Sequence, residues 1–125
     1  MALDVDVTSQ NPEARRITLR GRLDTLTTPE LEGKLAPLLA APEVRLLVFH
    51  LDGLEYISSA GIRCVARASR TLAMRGGRVA LVNPQAAVRT VFEIVKAIPP
   101  GQIFASEADF AASLAPPPGR APRQP

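Results

Sequence analysis

The sequence predicts an α/β fold, a mixed and mainly parallel sheet of four to five strands with about four helices. Three observations carry this. Polar and apolar residues alternate near the N-terminus, as in half-buried strands. From residue 28 onward, helical spacing of apolar residues alternates with short, almost wholly apolar runs. Such an order calls for strands joined through helices.

The elements follow in order. Asp4–Thr8 and Arg16–Arg20 alternate, and Asn11-Pro12 between them signals a hairpin turn. Gly21-Arg22-Leu23-Asp24 closes the second strand. Thr28-Pro29-Glu30 reads as a hydroxyl cap, a proline at the first helical position and an acid in the first turn. Leu31, Leu35, Leu38 and Leu39 share one face of that helix. Pro37 lacks an N–H and crowds the preceding turn, so the helix is expected to end or kink near Ala36. Val44–Leu51 is a nearly continuous apolar run, fitting a central strand covered on both faces, and Asp52-Gly53 reads as the turn that ends it. Ile62, Val65, Ala66, Ser69, Leu72 and Ala73 recur at helical spacing until Gly76-Gly77. Val79–Val82 is a further buried strand. Asn83-Pro84 opens a third helix with Val88, Val91, Phe92 and Val95 facing inward. Ile103-Phe104 adds a short edge strand. Ser106 caps a last helix with Phe110 and Leu114 inward. Helices are thus expected near 28–40, 60–75, 84–96 and 106–114.

The length of 125 residues suits one domain, placed at 1–115. Residues 116–125 hold five prolines and no large apolar residue, which reads as a disordered tail or a polyproline ligand. No apolar stretch is long enough to span a bilayer, and Met1–Asp6 is unlike a secretion signal, so a cytoplasmic location without membrane insertion is expected. The net charge of +3 is spread along the chain, with one Tyr, four Phe and no Trp, which argues against nucleic-acid binding.

Catalytic chemistry finds little footing. His50, the single histidine, lies in a buried strand and reads as a core or sheet-surface residue. No nucleophile elbow, phosphate-binding loop or dinucleotide fingerprint is present. One cysteine and one histidine make no transition-metal cluster, and no cofactor is expected. Cys64 is either a small filler or a thiol activated by a helix start and Arg63. Arg63, Arg67 and Arg70 form either a solvated helix face or a docking row.

The most informative segment is Leu54–Arg63, where strand, loop and helix meet at Ser58-Ser59-Ala60-Gly61. The first backbone N–H groups of a helix lack internal partners and carry partial positive charge. A serine there is a cap or a site prepared to carry a phosphate.

The arrangement resembles the STAS domain family, which includes anti-sigma factor antagonists and a domain of sulphate transporters. The resemblance covers about residues 3–114. It rests on Gly21–Asp24, on Leu46–Leu51 followed by Asp52–Ile57, on Ser58–Ile62, on Gly76–Asn83 and on Val88–Phe92. It implies a non-enzymatic, monomeric binding module that switches partners. The unmodified domain would bind an anti-sigma factor with serine kinase activity and release the sigma factor. Phosphorylation would reverse this, and a serine phosphatase would restore it. The family's usual motif is Asp-Ser-Ser/Thr-Gly. Aligned on Gly61, the aspartate falls on Ser58, the acceptor on Ser59 and the next hydroxyl on Ala60, and a Ser-Ser-Ala-Gly version also occurs among the family's antagonists. Ser59 is therefore the expected phosphorylation site, with Ser58 as second choice. The N–H groups of Ala60 and Gly61 are expected to hold its phosphate. Asp24, Ser58, Ser59, Ala60, Gly61, Arg63 and Arg67 are the expected partner-binding residues. The alternative is a STAS subunit that docks on a membrane transporter and is never phosphorylated. An enzyme using Cys64 or a serine is the remaining reading.

Overall fold

Parallel strands joined in sequence order by right-handed crossovers carry the crossover helices on one face. The computed structural model, which describes residues 3–114, follows this rule. Its elements are β1 (Leu3–Asn11), β2 (Ala14–Leu23), α1 (Thr28–Ala40), β3 (Leu46–Ile57), α2 (Ser59–Ala73), β4 (Arg78–Val82), α3 (Ala86–Val95), β5 (Ile103–Phe104) and α4 (Glu107–Leu114), with a 3-10 turn at Pro100–Gln102. The five strands lie in the order β1-β2-β3-β4-β5. The β1–β2 hairpin is antiparallel and the other three pairings are parallel.

The two sheet faces are unequal. On one, Ile17, Leu19, Leu47, Phe49, Val79 and Leu81 pack with Leu31 and Leu35 of α1, Ile62, Val65 and Leu72 of α2, and Val88 and Phe92 of α3. On the other, Val48, Ala80 and Val82 pack with Phe110 of α4. The β3 residues alternate between the two cores, which is why that strand reads as continuously apolar.

Several expected boundaries moved. Asp52-Gly53 does not end β3, which runs on to Ile57. The pairing with β2 shifts register between Thr18 and Arg20 and again between Gly21 and Arg22. Each shift inserts an extra residue in β3, so Leu51, Leu54 and Ile57 stay on the core side despite their spacing of three. A side chain at Gly53 would meet Arg20 Cγ at 2.8 Å, so glycine permits this close pairing. The first helix spans Thr28–Ala40, the range expected, and of the two outcomes expected at Pro37 an end near Ala36 is not found. Leu31 and Leu35 before the proline and Leu38 and Leu39 after it pack on the same core, holding the two halves together. Arg75 donates to the carbonyls of Leu38 (3.2 Å), Leu39 (2.8 Å) and Val44 (2.9 Å), which satisfies that helix end.

Thr27, not Thr28, is the α1 cap residue. Asn83 takes a left-handed conformation (φ 56), so α3 starts later, at Ala86 after Gln85. Ser106 Oγ accepts from the Asp109 amide (3.0 Å), as a cap should, but Leu114 is exposed rather than inward. Val95 is also exposed, at 54%. The proline-rich tail expected at 116–125 lies outside the described residues.

Candidate functional site

The parallel strands β2 and β3 end side by side, with Leu23 paired to Ile57. Their carboxyl ends release two loops, one into α1 and one into α2. In open α/β sheets such an edge is where ligands and partners are met. The Ser58 amide donates to the Leu23 carbonyl (2.8 Å), so the start of α2 is hooked to the end of β2.

Ser58 has extended backbone angles (φ −92, ψ 171) and its Oγ accepts from the Gly61 amide at 3.2 Å. It is the N-cap of α2. Ser59 is the first helical residue and is exposed. Among the described residues no hydrogen bond engages its hydroxyl. The Gly61 amide, expected to hold phosphate, is already taken by Ser58. Among the described residues, the first-turn amides without a partner are therefore those of Ser59 and Ala60. Gly61 is buried, and a side chain there would meet Leu23 Cγ at 2.8 Å and Ile57 Cγ1 at 2.9 Å. Glycine lets the first turn of α2 rest directly on the ends of both strands.

Asp24 organises the neighbouring loop. Its Oδ1 accepts from the amides of Leu26 and Thr27, both at 3.0 Å. Thr27 Oγ1 donates to the Arg22 carbonyl (2.7 Å) and accepts from the Asp24 amide (2.9 Å). The Thr27 amide, above all, holds the Asp24 carboxyl below its ordinary pKa. This loop presents Leu26 with 87% of its surface exposed. Beside it, the Arg22 guanidinium stacks 4.2 Å from the centre of the Tyr56 ring.

The two arginines expected to stand together diverge. Arg63 lines a cavity of about 390 Å³ with Tyr56, Ser58, Ser59, Val91 and Val95, between the start of α2 and α3. Arg67 lies toward α1, where it meets Glu32 at 3.7 Å in an exposed pair worth at most about 1 kcal/mol. Only Arg63 shares the serine cavity.

Cys64 is buried, and its thiol is pushed up to about 11, first by burial and then by Glu32. It stays protonated and fits the filler reading. His50 is half-buried on the α4 side of the sheet. Its Nε2 accepts from Arg16 Nη1 and lies 3.2 Å from Glu107 Oε1. Burial, then Arg16, lower its pKa. The described residues hold no group of three or more His, Cys, Asp and Glu able to hold a metal ion. No described helix is long and apolar enough to cross a membrane.

Sequence reasoning missed part of the surface. Leu26, Ile94 (73% exposed) and Val95 are exposed apolar residues, and of these Val95 lines the cavity with the serines. Ile94 stands outside the stripe of Val88, Val91 and Phe92, and that mismatch is the signal that could have revealed it.

The STAS domain sequence profile matches residues 7–110. The chain is 30% identical over 77 residues to the anti-sigma F factor antagonist of Lysinibacillus sphaericus, and 37% identical over 76 residues to BtrV of Bordetella bronchiseptica. These alignments cover 62% and 61% of this chain, and 66% and 65% of the relatives' own length, just under two thirds. The fold is similar to the anti-sigma factor antagonist SpoIIAA in its unphosphorylated form, with TM-score 0.77, 23% identity and coverage of 89% of this chain and 96% of that one. The phosphorylated form of Bacillus SpoIIAA gives TM-score 0.73 and 21% identity over 90% of this chain and 100% of that one. The STAS profile spans most of the chain and the fold agrees with that of SpoIIAA, so the chain belongs to the STAS domain family.

Proposed function

We propose that the domain is an anti-sigma factor antagonist whose binding is switched by phosphorylation of Ser59. The observation that carries this reading is the division of labour at the start of α2. Ser58 is committed to capping, while Ser59 is exposed with an unengaged hydroxyl. The unmodified domain binds an anti-sigma factor with serine kinase activity through Asp24, Ser58, Ser59, Ala60, Gly61, Arg63 and Arg67, and the sigma factor is released. The domain carries out no chemistry of its own. In the transfer, Ser59 Oγ forms a bond to the γ-phosphorus of ATP, the bond to the bridging oxygen breaks, and ADP leaves. A base of the kinase takes the hydroxyl proton.

The phosphate brings a charge of about −1.5 to −2. At a helix N-terminus the domain itself tolerates it. Within a packed interface it must be desolvated, and each 1.4 kcal/mol lost is about tenfold in affinity. A serine phosphatase restores the binding form. The relatives' names and the two solved states of SpoIIAA support this reading.

The test is incubation with ATP and an anti-sigma factor kinase, followed by peptide fragmentation. Phosphate is expected on Ser59, and none on the Ser59→Ala variant. Phosphate on Ser58 would overturn the assignment. Absence of both complex formation and transfer would favour the transporter-subunit alternative.

A further inference from the structure

We propose that phosphoserine at position 59 takes Arg63 as its counter-ion, withdrawing that arginine from the partner. The inference rests on the reading of Ser59 as phosphate acceptor, and it adds a second component to the switch. Phosphorylation then does more than introduce negative charge. It also removes a positive contact from the docking surface.

Three observations point to Arg63. It is the sole charged residue lining the cavity that holds both serines, the other walls being Tyr56, Ile57, Ile62, Val91 and Val95. Its side chain makes no ion pair or hydrogen bond among the described residues, whereas the arginines around it are occupied. Arg22 stacks on Tyr56, Arg67 meets Glu32, and Arg89 bonds Glu93 at 2.9 Å. Ser59 and Arg63 are also separated by one turn of α2.

Residues four apart on a helix place their Cβ atoms about 5–6 Å from each other, within reach of an arginine. An anion N-terminal to a cation at this spacing is the better orientation. The guanidinium can pair two phosphate oxygens at once. Apolar walls strengthen the attraction by lowering the local dielectric. The first-turn amides of Ser59 and Ala60 offer the phosphate further donors.

The test uses the full chain with phosphoserine placed at position 59 during synthesis, so no kinase is needed. Failure of ATP-dependent transfer would count against Ser59 as acceptor and is seen in a separate experiment. Phosphorus NMR follows the second ionisation of the phosphate against pH. In the parent chain it is expected below the usual value of about 6. Arg63→Gln should raise it by about 0.15–0.4 unit, the size of a helical ion pair expressed as a pKa shift. Arg63→Lys should retain part of the effect. Circular dichroism of each variant reports the fold, which an exposed substitution should preserve. Superimposable titrations for the parent and Arg63→Gln would overturn the proposal. So would a shift seen only with Arg22→Gln, which would assign the phosphate to the stacked arginine instead.

Discussion

Ser58 Oγ accepts the Gly61 amide, so Ser58→Ala should lose a helix cap and about 0.5–2 kcal/mol of stability. Ser59→Ala removes an exposed hydroxyl that holds nothing within the domain. Its stability should stay within about 0.5 kcal/mol of the parent. Urea denaturation of the two variants separates cap from acceptor, and equal losses would contradict the assignment. Gly61 is tested the same way. Gly61→Ala drives a methyl group into Leu23 and Ile57, and overpacking of this kind costs about 1–3 kcal/mol, more than the helical preference for alanine returns. A more stable Gly61→Ala protein would show that the first turn can lift from the strand ends. The cap could be read in the sequence from two hydroxyls before an amphipathic run. The need for glycine could not, because it depends on Leu23, which is distant in sequence and meets Gly61 only through the β2–β3 pairing.

Helix α3 turns Phe92 into the core and leaves Ile94 exposed. Phe92→Ala should cost about 3–5 kcal/mol, as for other buried aromatic truncations. Ile94→Asp should leave the melting temperature unchanged and weaken binding to the anti-sigma factor. Full binding by that variant would place the interface elsewhere. Helix α4 is tied to the sheet by Arg16, His50 and Glu107, where Arg16 meets Glu107 at 3.1 Å. Burial, with Arg16 beside it, holds the His50 pKa below its ordinary 6.5, opposed by Glu107 and Asp52. The unfolded chain therefore binds this proton more readily. The His50 contribution is complete above 6.5 and is lost as pH falls through that value toward the folded pKa. Glu107, held below its ordinary 4.5 chiefly by its hydrogen bond with Arg16, adds a separate loss at more acid pH. The melting temperature should drop as pH falls from about 7.5 to about 5.5, and His50→Gln should flatten that window while sparing the lower one. An identical slope in His50→Gln would remove His50 from the tie.

For the molecule as a whole, the alternation of periods was enough to read an α/β domain with a mainly parallel sheet. The central strand was legible because both its faces are covered. The expectations that failed share a physical cause. Asp52-Gly53 carries a turn composition, yet pairing with β2 keeps the strand extended beyond it. Pro37 is a helix breaker by local rules, yet leucines on both sides are anchored to one core. Arg63 and Arg67 stand one turn apart, yet helices packed on either side of α2 draw them to different neighbours. Each was decided by contacts that local composition does not contain. The serine pair was legible because capping is a local interaction.

The central proposal is that one phosphate on Ser59 decides between two partner states. The most direct measurement is titration calorimetry of the anti-sigma factor against the unmodified chain and against the chain carrying phosphoserine at position 59. The unmodified chain should bind at least about tenfold more tightly, a difference of about 1.4 kcal/mol or more. Equal affinities for the two forms would contradict the switch.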